Sequence, residues 1–293
     1  MAKHAGVKSL ELIVLYEEKI KDLKERIKIY QESFSFDTDG SPKFHDDFDK
    51  EYTIACYRNK KTKGFYPRTS TITKNICPPY LQNWMKRKSE AAQDKIRDTR
   101  SVIGTVAHKL CEEYIKGIIG EDKVYLLIGE ECLKYKLVQT REMKDAVGVI
   151  LTSFMKIWND RGFQYIASEV TIHSDILGDC GTLDIIAIDK DGDLHNIDNK
   201  TGRKSNGVVI EAAQNSYKFR FEEQFGLPIK NTIFSLDERK SYPLAFTYKH
   251  YDMGLRAYIG CMSIFQVDQW KQLKTFWPHW NKDFSNIKHR SWK

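Results

Sequence analysis

Three short runs between residues 165 and 200, "YIASEVTIH", "GTLDIIAID" and "DLHNIDNK", are rich in β-branched residues and broken by Gly and Asp. Runs of this length and composition predict strands. The second and third are joined by "DKDGD" (189–193), whose Asp-Gly pair supplies the positive φ of a tight turn between antiparallel strands. Such a turn fixes register. Centred near residue 191, it makes Asp184 and Asp198 nearly cross-strand neighbours. Side chains alternate along a strand, so Leu194, Asn196, Asp198 and Lys200 share one face and His195, Ile197 and Asn199 the other.

The same acids suggest a calcium loop. An EF-hand needs acids at loop positions 1, 3 and 5, glycine at 6 and a bidentate Glu at 12. Counting from Asp189, the acids fit, but Gly192 falls at position 4, Leu194 at 6 and Lys200 at 12. An ammonium cannot replace a ligating carboxylate, so 189–193 reads as a turn.

Helical periodicity dominates elsewhere. Ile13, Tyr16, Ile20, Leu23, Ile27 and Tyr30 form an apolar seam in a helix over 8–31, expected to pack on its own domain, with self-association through this helix the alternative. Residues 33–53 read as a polar, turn-rich connector, and Pro78-Pro79 as a break before a short amphipathic segment. A long helix is predicted over about 90–119, with Ile96, Val102, Ile103, Val106, Leu110, Tyr114 and Ile118 on its apolar face. Another covers about 141–161 and closes at Arg161-Gly162. After the strand cluster come a helical pattern over 207–226, strands near 229–236 and 242–250, "LRAYIGCMS" (255–263) as a further strand, and a Trp-rich helix over 266–284. The expected architecture is α/β, a central mixed sheet flanked by helices with an N-terminal helical extension over 1–65 and the main domain over 66–293.

Composition narrows the class. An apolar content of 41% and aromatic content of 12% are those of a globular chain. No apolar run reaches the ~18 residues that span a bilayer, and the N-terminus does not read as a signal peptide, so no membrane partner and a cytoplasmic setting are expected, bacterial or phage-encoded. The net charge of +7 suits a nucleic-acid partner, with basic clusters at 58–63, 86–88, 202–204 and 288–293. Cysteines 56, 77, 111, 132, 180 and 261 contain no C-x-x-C pair, so they read as packing residues and no iron–sulfur cluster is expected.

Two carboxylates held across a hairpin repel unless a cation lies between them. With Lys200 beside them they are the parts that phosphodiester hydrolysis needs: a hard cation to polarise phosphate and acidify water, and an amine to offset developing charge. An Asp198–Lys200 surface ion pair at a strand end is the plainer alternative.

"GTLDIIAIDKDGDLHNIDNKTGR" resembles the core of PD-(D/E)XK (restriction-endonuclease-like) nucleases of the RecB type, with G-x-x-D, a turn, and a strand ending D-x-K-T. "STITKNICPPYLQNW" (70–84), "GTVAHKLCEEYI" (104–115) and "EAAQNSY" (211–217) resemble three further motifs of that group, in order. The arrangement is most similar to mitochondrial genome maintenance exonucleases and phage exonucleases, over about residues 70–250. The resemblance implies a Mg²⁺- or Mn²⁺-dependent deoxyribonuclease of replication, repair or recombination, with DNA single strands or ends and replication or recombination proteins as partners. An exonuclease is the leading form; a structure-specific endonuclease and a non-catalytic nucleic-acid-binding or assembly protein are the alternatives. It also implies His108, Asp184, Asp198 and the backbone carbonyl of Asn199 as metal ligands, Lys200 as the catalytic lysine, and Gln214 and Tyr217 as residues orienting the lysine or the DNA. Glu169 is a further acidic candidate. Tyr217 follows Gln214 by three residues rather than the family's four, which puts its presence on the same face in question.

Overall fold

The computed structural model describes residues 2–37, 41–45, 51–74, 89–118, 123–201, 207–237, 244–247, 251–284 and 287, the side chains of 2–16, 45, 52, 244, 246 and 270 falling outside that description. Three of the four basic clusters, 86–88, 202–204 and 288–293, lie outside it, as does most of the motif at 70–84.

The chain opens with α1 (Ala2–Ser33), followed by the short strands β1 (Phe36–Asp37), β2 (Lys43–His45), β3 (Glu51–Thr53), β4 (Cys56–Asn59) and β5 (Phe65–Pro67). The expected connector over 33–53 therefore carries strand pairing: β2 pairs with β3, and β1 pairs with β4, which also pairs with β5. Alternation such as Lys43-Phe44-His45 is too brief to read as a strand in isolation; the pairing partners supply the order.

After α2 (Thr69–Thr73) come α3 (Glu90–Ile115), α4 (Lys123–Lys134) and α5 (Arg141–Arg161). The last begins where Thr140 accepts the Met143 amide and ends at Gly162, whose φ of 62° gives the left-handed stop expected there. Helix α4 is not foreseen in the sequence reading. Its buried side is only Leu127, Ile128, Glu131 and Cys132, while Leu126 and Leu133 face outward, so its apolar stripe is blurred. Ile96 and Ile118, assigned to the apolar face of the long helix, are exposed; the buried face is Val102, Ile103, Val106, Ala107 and Leu110.

The main sheet has five strands in the order β10-β9-β8-β7-β6. These are β6 (Gln164–Ser174), β7 (Asp179–Ile188), β8 (Leu194–Lys200), β9 (Lys230–Ser235) and β10 (Leu244–Thr247). Strands β6, β7 and β8 are antiparallel neighbours. Between β8 and β9 runs α6 (Val208–Phe225), and that crossover makes β9 parallel to β8. The chain ends with α7 (Tyr251–Asp268) and α8 (Trp270–Phe276). "LRAYIGCMS" is thus helical, not a strand: Leu255, Tyr258, Ile259, Met262 and Phe265 fall on one side at helical spacing and are buried together. The expected Trp-rich helix over 266–284 is shorter, since α7 runs through Asp268 and α8 stops at Phe276.

Both faces of the sheet are covered. Ile185, Ala187, Ile197 and Phe234 pack with α3 and α5, whereas Ile186, Ile188 and Leu194 pack with α6 and with Leu23, Ile27 and Tyr30 of α1. The C-terminal half of the α1 seam is therefore spent on the chain's own sheet, where Tyr30 Oη also meets His173 Nδ1 at 2.6 Å. A third cluster joins Ile54, Cys56 and Ile72 to α7. Beneath it Arg220 pairs with Asp179 in two hydrogen bonds, and Tyr258 donates to the same carboxylate. Arg220 and Asp179 are wholly buried, so each charge depends on the other. This pair ties α6 and α7 to the start of β7. The described cysteines, 56, 111, 132, 180 and 261, are buried and unpaired, as packing residues should be.

The turn between β7 and β8 follows the sequence reading. Gly192 has φ 84°, its amide donates to Asp189 O, and the register pairs Ile185 with Ile197 and Ile188 with Leu194. Asp189 Oδ1 accepts the amides of Asp191 and Asp193, and Oδ2 meets His195 Nε2 at 3.0 Å. Its oxygens thus serve the turn. Replacing Asp189 with Ala should cost about 1–3 kcal/mol in urea denaturation, since up to three hydrogen bonds go at once. Calcium should leave the melting temperature of the wild type unchanged; a calcium-dependent rise would restore the loop reading.

Candidate active site

One register step beyond Ile185↔Ile197 brings Asp184 opposite Asp198. Asp198 is buried with its neighbours on the α6 side. Its Oδ2 accepts the Gln214 amide at 2.6 Å and lies 2.6 Å from Lys200 Nζ, while its Oδ1 is buried with no hydrogen-bond partner. A buried carboxylate oxygen left bare is costly, so its orientation asks for a reason. Asp184 and Lys200 retain 28% and 35% of their side-chain surface, which opens the group to solvent on one side.

The electrostatics follow from this crowding. The Asp184 carboxyl is held well above the usual carboxylate range, first by burial and then by the charge of Asp198, with Lys200 pulling the other way and a hydrogen bond to the Asp198 side chain and the charge of Glu169 adding to the rise. Burial alone would lower the Lys200 ammonium, but Asp198 and Asp184 outweigh it and hold its pKa above the ordinary lysine value. Lys200 is therefore a fixed cation at neutral pH. Tyr217 also stands close enough to act on Lys200, and its phenol is pushed up to about 12, mainly by burial. The shortened Gln-Tyr spacing does not remove Tyr217 from the site. What admits it is Gly181: a Cβ there would lie 2.4 Å from the Tyr217 ring.

His108 comes from α3, one side of the sheet, to the end of β8. Its Nε2 lies 2.8 Å from Asn199 O, and because a carbonyl only accepts, the proton sits on Nε2. Its Nδ1 lone pair then faces Asp184 Oδ2 at 3.6 Å. Burial lowers the His108 pKa despite Asp198, so the ring is neutral near pH 7. Glu169 has φ 51° within β6, between the regular pairs Ser168↔Ile185 and Val170↔Leu183. Its carboxyl is raised first by partial burial and then by the charge of Glu112, with Lys116 pulling the other way. Glu112, one helical turn after His108, accepts from Ser168 Oγ at 2.6 Å and pairs with Lys116.

The structure thus brings His108, Asp184, Asp198, Asn199, Lys200, Gln214 and Tyr217 to one place. Gln214 holds the Asp198 carboxylate rather than the lysine. A residue that sequence reasoning missed is Asn196, which donates to Gln214 Oε1 at 2.8 Å; its place on the Asp198 face of β8 was the available signal. As they stand, no three His, Cys, Asp or Glu side chains among the described residues form a closed metal cluster. The donor chemistry still fits a hard divalent cation: one bare buried carboxylate oxygen, a second carboxylate, and a main-chain carbonyl 2.8 Å from an imidazole nitrogen.

No family model and no curated protein matches this sequence. Among solved structures, one named "Putative exonuclease", from Eubacterium rectale, is similar at a TM-score of 0.37 with 10% identity over 58% of this chain. The match spans 66% of that chain, just under two thirds of its length. Among the described residues no helix is long and apolar enough to cross a membrane.

Because the folded state favours protonated Asp184, it binds more protons than the unfolded chain above the ordinary Asp value of ~3.9. Stability is therefore lost as pH rises from that value through the raised one. In EDTA, Asp184→Asn should match the wild type near pH 4 and exceed it at pH 8 by about 1 kcal/mol or more, a shift of a few degrees in Tm. A variant less stable than wild type at pH 8 would contradict this.

Proposed function

We propose that this chain is a nuclease of the PD-(D/E)XK type that hydrolyses DNA with Mg²⁺ or Mn²⁺, acting as an exonuclease on single strands or ends. The observation that carries the reading is the bare Oδ1 of Asp198, buried beside Asp184 and within the same few ångströms as the Lys200 cation. The order of helix α3, antiparallel β6, β7 and β8, helix α6 and parallel β9 supports it, since this is the sequence of elements that carries the resembling motifs.

Asp184, Asp198, the Asn199 carbonyl and His108 would hold the cation, which when bound supplies charge to polarise the phosphate and acidify water. Lys200 offers a charge that does not switch off with pH in the physiological range. It faces solvent on one side, so a phosphate oxygen or the attacking water can meet it, and it offsets the negative charge that builds on phosphorus. A lysine held charged by two carboxylates is a poor base, so its role is electrostatic and orienting. Gln214 steadies Asp198 by donating to Oδ2, the oxygen that Lys200 also meets. A cytoplasmic setting, replication or recombination partners and an N-terminal extension over 1–65 belong to the same reading.

Digestion of labelled linear and circular DNA with Mn²⁺ tests it. Wild type should degrade linear DNA and spare covalently closed circles, and Lys200→Ala should lose about 100-fold or more in kcat with little change in KM, as expected for a group acting mainly in the transition state. Cleavage of circles would make the enzyme an endonuclease. DNA binding without cleavage, unaffected by EDTA, would make it a non-catalytic binding protein.

A further inference from the structure

Behind Asp198 lies a buried run of side-chain amides. Gln214 Nε2 donates to Asp198 Oδ2 at 2.6 Å, and Gln214 Oε1 accepts from Asn196 Nδ2 at 2.8 Å. The same Asn196 nitrogen donates to Asn231 Oδ1 at 3.3 Å; Asn231 donates to Asn215 at 3.0 Å, and Asn215 donates to the backbone carbonyl of Glu211 at 2.8 Å. All four amides are buried, at 1% exposure for Gln214, Asn196 and Asn215 and 2% for Asn231.

The two ends of this run are both obligate acceptors, a carboxylate and a peptide carbonyl. Each amide between them has one accepting and one donating end, so polarity must reverse once along the line. The reversal needs a nitrogen that donates in both directions, and that nitrogen is Asn196 Nδ2. Starting from Glu211 O, every orientation is then forced. Asn215 turns its oxygen to Asn231, Asn231 turns its oxygen to Asn196, and Asn196 presents an N–H to Gln214. Gln214 is left with its NH₂ toward Asp198. Were Gln214 reversed, its oxygen would face the carboxylate and its nitrogen would face Asn196 Nδ2, with two repulsive contacts in a buried space.

We propose that Asn196 is a positioning residue, which sets the rotamer of Asp198 through Gln214 and so directs the bare Oδ1 toward the cation. The proposal deepens the nuclease reading and rests on it for the cation. It does not rest on it for the orientation of Gln214, which the metal-free protein reports by itself.

The test uses Asn196→Ala, the isosteric Asn196→Asp, Gln214→Ala and the double Asn196→Ala/Gln214→Ala variant of the full chain. In metal-free protein, hydrogen exchange of the Gln214 side-chain amide by NMR should be slow in wild type and about 10-fold or more faster in both Asn196 variants. Unchanged protection would overturn the proposal. Asn196→Asp keeps the shape, so loss of protection there cannot be ascribed to a collapsed cavity. By calorimetric Mn²⁺ titration, Asn196→Ala and Gln214→Ala should each weaken affinity by about 10-fold, the range seen when a ligand loses its supporting hydrogen bond. The double variant should be no weaker than Gln214→Ala alone, because Asn196 acts only through Gln214. Additive losses would overturn the proposal by giving Asn196 a separate, structural role. If the wild type binds no Mn²⁺ and cuts no DNA while the amide result holds, the nuclease reading fails and the orientation of Gln214 by Asn196 survives.

Discussion

Two carboxylates, Asp184 and Asp198, are held on neighbouring strands at a distance where both cannot comfortably carry charge. Nothing in the stability of a sheet requires this, and a chain selected for stability alone would put an apolar or oppositely charged residue at one of the positions. Much of the surrounding structure reads as compensation. Lys200 neutralises part of the repulsion, Asp184 takes up a raised proton affinity, and His108 turns a lone pair rather than a proton toward it. The compensation stops short of Asp198 Oδ1, which is left bare.

Holding that arrangement falls to elements that do no chemistry. The Asp189 turn fixes the β7–β8 register, so a slip of one residue would turn Asp198 into the opposite face. Helix α3 delivers His108 to the carbonyl of Asn199, and α6 delivers Gln214 and Tyr217 from the other side. The buried Arg220–Asp179 pair with Tyr258 anchors α6 to β7 two positions before Gly181, the residue whose missing side chain makes room for Tyr217.

The hairpin and its two carboxylates were legible because they depend on local chemistry: alternation, an Asp-Gly turn and counting from its centre. The helices at 141–161 and 208–225 were legible for the same reason, the first from its apolar face and its stop at Gly162. What sequence could not give depends on partners distant in the chain. "LRAYIGCMS" is a short apolar run that either state could hold, and its apolar residues match a helix because Ile54, Ile72 and Trp277 close over that face. The strands at 36–37 and 43–45 exist only as halves of pairs. Asn196 looked like an ordinary polar residue until the structure placed Gln214 and Asn231 on either side of it.

The central claim is that Asp184 and Asp198 are kept together to hold a divalent cation. Anomalous diffraction from a crystal soaked in Mn²⁺ tests it most directly. The account predicts a peak bound by Asp198 Oδ1 and Asp184, next to the Asn199 carbonyl. A protein that takes up Mn²⁺ only elsewhere, or whose Asp198 Oδ1 is met by a protein donor instead, would contradict it.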